Sequence, residues 1–142
     1  MSQEDVELVR RMFDGGPEIQ SLLLDGSDLS GHPWLSLFHP ECVVEELAEI
    51  PDRAAYHGRD AIVRFFQRGF REVWDEWRFV PLEIIKGRDG VFAAVDNSGR
   101  SKTGAEVQMD LFQVFRIRDG MIIYVTAYLD RRRALEAVGL SE

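Results

Sequence analysis

Two Asp-Gly pairs, Asp89-Gly90 and Asp119-Gly120, each stand directly before an apolar-rich run. Asp and Gly tolerate the positive φ of a tight turn, so Asp-Gly between strand-like runs is a strong hairpin signal. Three such runs, Val91 to Val95, Val107 to Ile117 and Met121 to Leu129, follow one another. The second half is therefore expected to be an antiparallel meander. In the run from Val107, alternate positions read Val107, Met109, Leu111, Gln113, Phe115 and Ile117. These share one face of a strand. Gln113 is the lone polar residue on it and the first candidate for chemistry.

The first half reads mostly as helix. Val6, Val9 and Phe13 recur at helical spacing, with Gly15-Gly16-Pro17 the expected stop. Residues 15–33, rich in Gly and Pro around the apolar patch Ile19 to Leu24, are expected to form a loop with a helical turn or two, acting as a mobile flap. Trp34 to Phe38 reads as a short helix, Cys42-Val43-Val44 opens a strand, and residues 47–57 read as irregular. Gly58-Arg59-Asp60 leads into the longest helix, with Ile62, Phe66, Phe70 and Val73 as its stripe. A strand from Trp77 to Ile85 feeds the meander. Asp130 can cap a last helix through Ala137, which Gly139 stops. The order predicts an α+β fold with helices gathered on one side of a strongly curved sheet.

The 142 residues are expected to form one domain, 1–142, burying roughly 68% of the unfolded surface. The single cysteine, Cys42, excludes an intramolecular disulfide and fits a reducing compartment. The acidic, polar N-terminus and the lack of any apolar run near ~18 residues point to a cytoplasmic protein that does not enter a membrane. A net charge of −8 argues against a nucleic-acid footprint, which needs a dense basic face.

His39 with Cys42, and Glu45-Glu46 with Glu49, offer ligand types, but no second Cys or His pair has zinc spacing. No metal or cofactor is expected. Neither a Gly-x-Ser-x-Gly nucleophile motif nor a phosphate loop is present. Acid–base chemistry remains. Glu46 ends a strand that begins apolar, so its carboxyl could reach the mouth of a concavity; Glu45 would then face the other way. An apolar cavity desolvates a carboxylate and makes it a usable general base or acid.

The run Val44-Glu45-Glu46, then His57-Gly58-Arg59-Asp60-Ala61-Ile62-Val63-Arg64-Phe65-Phe66-Gln67-Arg68-Gly69, resembles ketosteroid isomerases, as do Val114-Phe115-Arg116-Ile117 and Ala127-Tyr128. More broadly the chain resembles the SnoaL-like branch of the nuclear-transport-factor-two-like superfamily. The resemblance implies a cone-shaped, curved antiparallel sheet wrapped around N-terminal helices, the cystatin-like α+β roll. It implies an apolar pocket and commonly a homodimer through the outer sheet face. Phe112 and Val114, alternating outward between Asp110 and Arg116, would form the centre of that contact.

Residue by residue, the isomerase base position falls on Glu46. The oxyanion-hole Tyr position falls on Phe13 and the protonated Asp position on Gln113. The His and Asp of SnoaL-type cyclases fall on Gln113 and Ala127. The scaffold is thus kept while most of the known machinery is not. The expected pocket is lined by Phe13, Trp34, Val44, Phe66, Met109, Leu111, Phe115, Val125 and Ala127, with Glu46 and Gln113 as its polar pair. The reading slightly favoured is a protein that binds a small apolar or aromatic ligand. The alternative is an enzyme using Glu46 for proton transfer on a hydrophobic carbonyl compound, with Gln113 polarising the oxygen. A dimerising module with a vestigial pocket is the lesser reading.

Overall fold

Asp119 and Gly120 turn the chain with φ of +55° and +73°, and Arg118 pairs with Met121 across them. Two successive positive φ values match the twist of the strands they join, which is why Asp-Gly stands here. In the computed structural model, which describes residues 2–141, this hairpin belongs to one six-stranded sheet. The strands are β1 (Phe38–Glu45), β2 (Ala55–His57), β3 (Trp74–Gly87), β4 (Gly90–Ser101), β5 (Glu106–Arg118) and β6 (Met121–Tyr128). Their order is β2-β1-β6-β5-β4-β3, every pair antiparallel except β1 with β6.

Helices α1 (Ser2–Leu24) and α2 (Arg59–Glu72), with a 3-10 turn over Pro33–Leu37, fill the inner face. The core there joins Leu8, Val9, Phe13 and Ile19 of α1, Ile62 of α2, and the inward residues Val91, Ala93, Val95 and Phe115. A short helix α3 (Arg131–Ala137) lies on the outer face, with Ala134, Leu135 and Val138 against Phe92, Ala94 and Val114. Asp130 caps α3 by accepting from the Arg132 and Arg133 amides at 2.9 and 3.3 Å. The expected α+β class and curved sheet are therefore present, and the strands run longer than their apolar runs.

Three expectations are corrected. Gly15-Gly16-Pro17 does not end the first helix, which continues to Leu24, so only residues 25–32 of the expected loop lack regular structure. A proline inside a helix costs about 3 kcal/mol and removes an N–H. Here Phe13 and Ile19, on either side of the break, are both buried in the core and hold the helix together. Gly15 serves packing, not a turn: a Cβ there would lie 2.5 Å from Trp34 Cδ1. Secondly, Val73 is no part of the α2 stripe. The helix ends at Glu72, and Val73 is 47% exposed as the chain turns into β3. Thirdly, Val114 is not an exposed interface residue, because α3 of the same chain buries it to 1% exposure; Phe112 is half-buried beside it.

Cys42 is fully buried, and desolvation pushes its thiol up while the Arg59 guanidinium pulls the other way. That is an unreactive setting. No helix among the described residues is long and apolar enough to cross a membrane.

Candidate functional site

Between the inner sheet face and the helices lies a cavity of about 650 Å³. That volume is in the range of sites for drug-sized ligands. Strand alternation explains its floor. Val44 of β1, Met109, Leu111, Gln113 and Phe115 of β5, and Val125 and Ala127 of β6 all line it. Gln113 pairs with Ala127 and Phe115 with Val125, so these side chains rise from the sheet in two adjoining rows. Phe13 from α1, Trp34 from the 3-10 turn and Phe66 from α2 close the roof. Every residue expected at the site thus borders the same cavity, together with Glu46. Exposed lining residues Pro17, Ile50, Arg78 and Val80 mark the opening.

Glu46 follows β1 directly and borders the cavity; Glu45, expected to face away, borders it too, with its carboxylate engaged by the Tyr124 hydroxyl and Arg53. The chain around Glu46 is stitched to β6: Thr126 Oγ1 donates to the Glu46 carbonyl at 3.2 Å, and the Ala48 amide donates to the Ala127 carbonyl at 2.8 Å. The Glu46 carboxylate accepts from the Ala54 amide at 3.3 Å and the Tyr56 hydroxyl at 3.4 Å. Tyr56 in turn accepts from Arg68 at 2.9 Å, and Arg68 donates to Glu72 at 2.8 Å. Because Arg68 can only donate, the phenol proton is left free to point at Glu46. A carboxylate so held can accept a proton or a ligand hydrogen bond without first being reoriented.

Gln113 is half-buried, and its Oε1 is fully enclosed with no hydrogen-bond partner. A buried unpaired acceptor costs about 1–3 kcal/mol. Rotation of the amide about its last torsion exchanges donor and acceptor, so Gln113 can meet a ligand group of either kind.

Sequence reasoning missed the aromatic and polar end of the cavity. Phe65, Trp77 and Phe79 join Phe66 there, with Trp77 4.9 Å from Phe79 and 5.6 Å from Phe66 between ring centres. Trp77 Nε1 donates to Asn97 Oδ1 at 2.8 Å, and Asn97, 5% exposed, lines the cavity. The signal for Asn97 was the one that found Gln113: Val91, Ala93, Val95 and Asn97 share an inward face with one polar member. Ending the strand at Val95 hid it, since Asp96-Asn97-Ser98-Gly99 are poor strand formers. Tyr56 lies in a three-residue strand, too short for a periodic signal.

Comparison with known proteins agrees with this architecture. An uncharacterised PhzA/B-like protein of Pseudomonas aeruginosa is 29% identical over 124 residues, covering 82% of this chain and 83% of that protein. An NTF2-like protein of unknown function from Burkholderia pseudomallei superposes with a TM-score of 0.72 at 16% identity, over 97% of this chain and 98% of its own. A hypothetical protein with a ketosteroid isomerase-like fold from Catenulispora acidiphila gives 0.59 at 17% identity, over 75% and 80%. The family model for the SnoaL-like domain matches residues 24–125, from the end of α1 into β6. That span takes in β1 to β5 entire and the first part of β6, the strands from which the cavity floor rises, and the chain belongs to the SnoaL-like domain family.

Proposed function

We propose that the protein binds a small, largely apolar or aromatic ligand in the inner cavity. The observation that carries this reading is an aromatic-walled space of about 650 Å³ whose lining is mostly apolar, with Glu46, Asn97 and Gln113 among its few polar groups. Apolar burial supplies affinity in such a site, and the polar groups set orientation. Trp34 and Trp77 line the cavity and make occupancy visible. Titrating the protein with naphthol should quench tryptophan emission saturably. Ala127→Phe, which fills the floor beside Gln113, should abolish the quenching. Absence of saturable binding, or unchanged binding by Ala127→Phe, would overturn the reading.

A second reading is supported by the way Tyr56 and the Ala54 amide hold the Glu46 carboxylate at the cavity wall. In it, Glu46 removes a proton from the carbon beside a ligand carbonyl and returns it elsewhere on the same molecule. The Gln113 amide N–H polarises the carbonyl oxygen. The known oxyanion-hole partner is absent, because Phe13 cannot donate a hydrogen bond. Loss of one such donor typically costs 10²–10³ in rate, and Ala127 stands where the cyclases have a titratable group, so neither steroid isomerisation nor polyketide cyclisation is expected. Deuterium exchange into the enolisable positions of tetralone, followed by NMR, tests the reading. Catalysed exchange should disappear in Glu46→Gln with tetralone affinity nearly unchanged, and should rise about 10-fold or more in Phe13→Tyr. Exchange that survives Glu46→Gln would assign the base elsewhere.

A further inference from the structure

We infer that Asn97 is a specificity-determining residue of the cavity, a fixed hydrogen-bond donor that selects ligands carrying an acceptor oxygen at the aromatic end. The inference rests on the ligand-binding reading above and adds to it which chemistry the ligand must bear.

The indole N–H of Trp77 can only donate, and it donates to Asn97 Oδ1 at 2.8 Å. That single bond settles the Asn97 amide: its oxygen is committed to Trp77, and its NH₂ is turned away. Trp77 itself is held by a stacked Trp74, with ring centres 5.6 Å apart, and by Phe66, Phe70 and Phe79. The amide therefore cannot swing round as Gln113 can. Asn97 is 95% buried by its 5% exposure and borders the cavity, yet among the described residues nothing accepts from its Nδ2. Holding Trp77 needs only an acceptor. The amide leaves a spare donor that is open to the cavity, since Nδ2 is not among the fully enclosed side-chain atoms that lack a partner. A ligand carbonyl, ether or hydroxyl oxygen can accept from it.

Register places this donor relative to Gln113. Gln113 lies opposite Ala93, and Asn97 is four residues further along β4 on the same inward face. At a rise of about 3.3 Å per residue the two positions are about 13 Å apart along the strand. The ligand class that suits both is an elongated fused-ring or two-ring aromatic. It carries an acceptor oxygen at one end for Asn97, and at the other a hydroxyl, which can donate or accept, for Gln113.

The probe set is 6-acetyl-2-naphthol, the matching 6-ethyl-2-naphthol without the carbonyl, and 2-acetylnaphthalene without the hydroxyl. Wild-type protein should bind the acetyl-naphthol about 5-fold or more tightly than the ethyl-naphthol. The carbonyl stretch of the bound acetyl-naphthol should move to lower frequency than in a non-hydrogen-bonding solvent. Asn97→Asp keeps an acceptor for Trp77 while deleting the NH₂, and Asn97→Leu deletes both. In either, the acetyl-over-ethyl preference should vanish while the preference for acetyl-naphthol over acetylnaphthalene remains. Should a variant fail to fold, the wild-type preference and the carbonyl frequency still decide. Equal wild-type binding of all three compounds, or an unshifted carbonyl, overturns the role of Asn97 and leaves the cavity reading standing. If none of the three binds, the cavity reading falls and this inference with it.

Discussion

The indole of Trp34 sets its Cδ1–Nε1 edge against α1 at Gly15, where a Cβ would lie 2.5 Å from Cδ1. The same indole donates to the Met12 carbonyl at 2.9 Å, so its position has little freedom. Gly69 on α2 accommodates Trp77 in the same way, with a Cβ there only 2.3 Å from Cζ3. Both cavity-lining tryptophans thus depend on a helix glycine. At Gly16, one residue on from Gly15, a Cβ meets nothing within 4 Å apart from its own chain neighbours. Opposite signs follow for neighbouring substitutions. Gly16→Ala should stabilise by up to about 0.5–1 kcal/mol through helix propensity, less what the following Pro17 ring takes back by crowding the new Cβ. Gly15→Ala gains the same propensity but forces Trp34 aside, at a typical overpacking cost of about 1–3 kcal/mol, so net destabilisation is expected. Urea denaturation of the two variants checks the pair.

These contacts also explain what the sequence could and could not disclose. Asp119-Gly120 and the alternation from Val107 to Ile117 are local signals, and the meander followed from them directly. Gln113 was legible because its neighbours on the face are apolar. The continuation of α1 through Gly15-Gly16-Pro17 was not, because Gly15 packs against Trp34, nineteen residues away in sequence. Asn97 and Tyr56 owe their roles to partners about 20 and 10 residues distant, Trp77 at 2.8 Å and Glu46 at 3.4 Å. Burial of Val114 depends on α3 returning over the sheet, which no strand pattern encodes.

Pro17 leaves the Phe13 carbonyl without its usual helical donor, midway along α1. Gly16, Pro17, Ile19 and Gln20 border the cavity, so the part of α1 beyond the break covers the ligand space. We propose that this half-helix, with residues 25–32, is the flap. Amides from Ile19 to Leu24 should exchange faster than those of β4 and β5, and bound naphthol should slow them. Pro17→Ala restores the missing bond and should slow exchange in the ligand-free protein. Protection equal to the sheet in the unliganded wild type would refute a flap.

A homodimer through the outer sheet face stands as a proposal, with its centre moved. Since α3 covers Val114, the apolar surface left there is Phe112, stacked on Phe92 with ring centres 6.1 Å apart, and Tyr128 opposite it across the β5–β6 ladder. Exposed Asp110 and Arg116 flank the patch. Sedimentation at micromolar concentration should give twice the 16.3 kDa chain mass, and Phe112→Glu should give the single mass. A wild-type monomer would reject the proposal, as would an interface below about 1,000 Å².

Tyr124 provides a pH marker for the β1–β6 junction. Burial, and then its hydrogen bond to the Glu45 carboxylate, push its phenol up to about 12, against the ordinary value of 10.0. The raised value means the folded state holds the proton more tightly than the unfolded chain. The stabilisation is therefore complete below pH 10. It is lost as pH climbs from about 10 to about 12, because the unfolded tyrosine ionises first. The chain has three tyrosines, so ultraviolet titration should resolve one that ionises near pH 12. Tyr124→Phe should remove that late step and flatten the fall in stability across the same interval. Retention of the late step in Tyr124→Phe would assign it to another tyrosine and remove Glu45 as its cause.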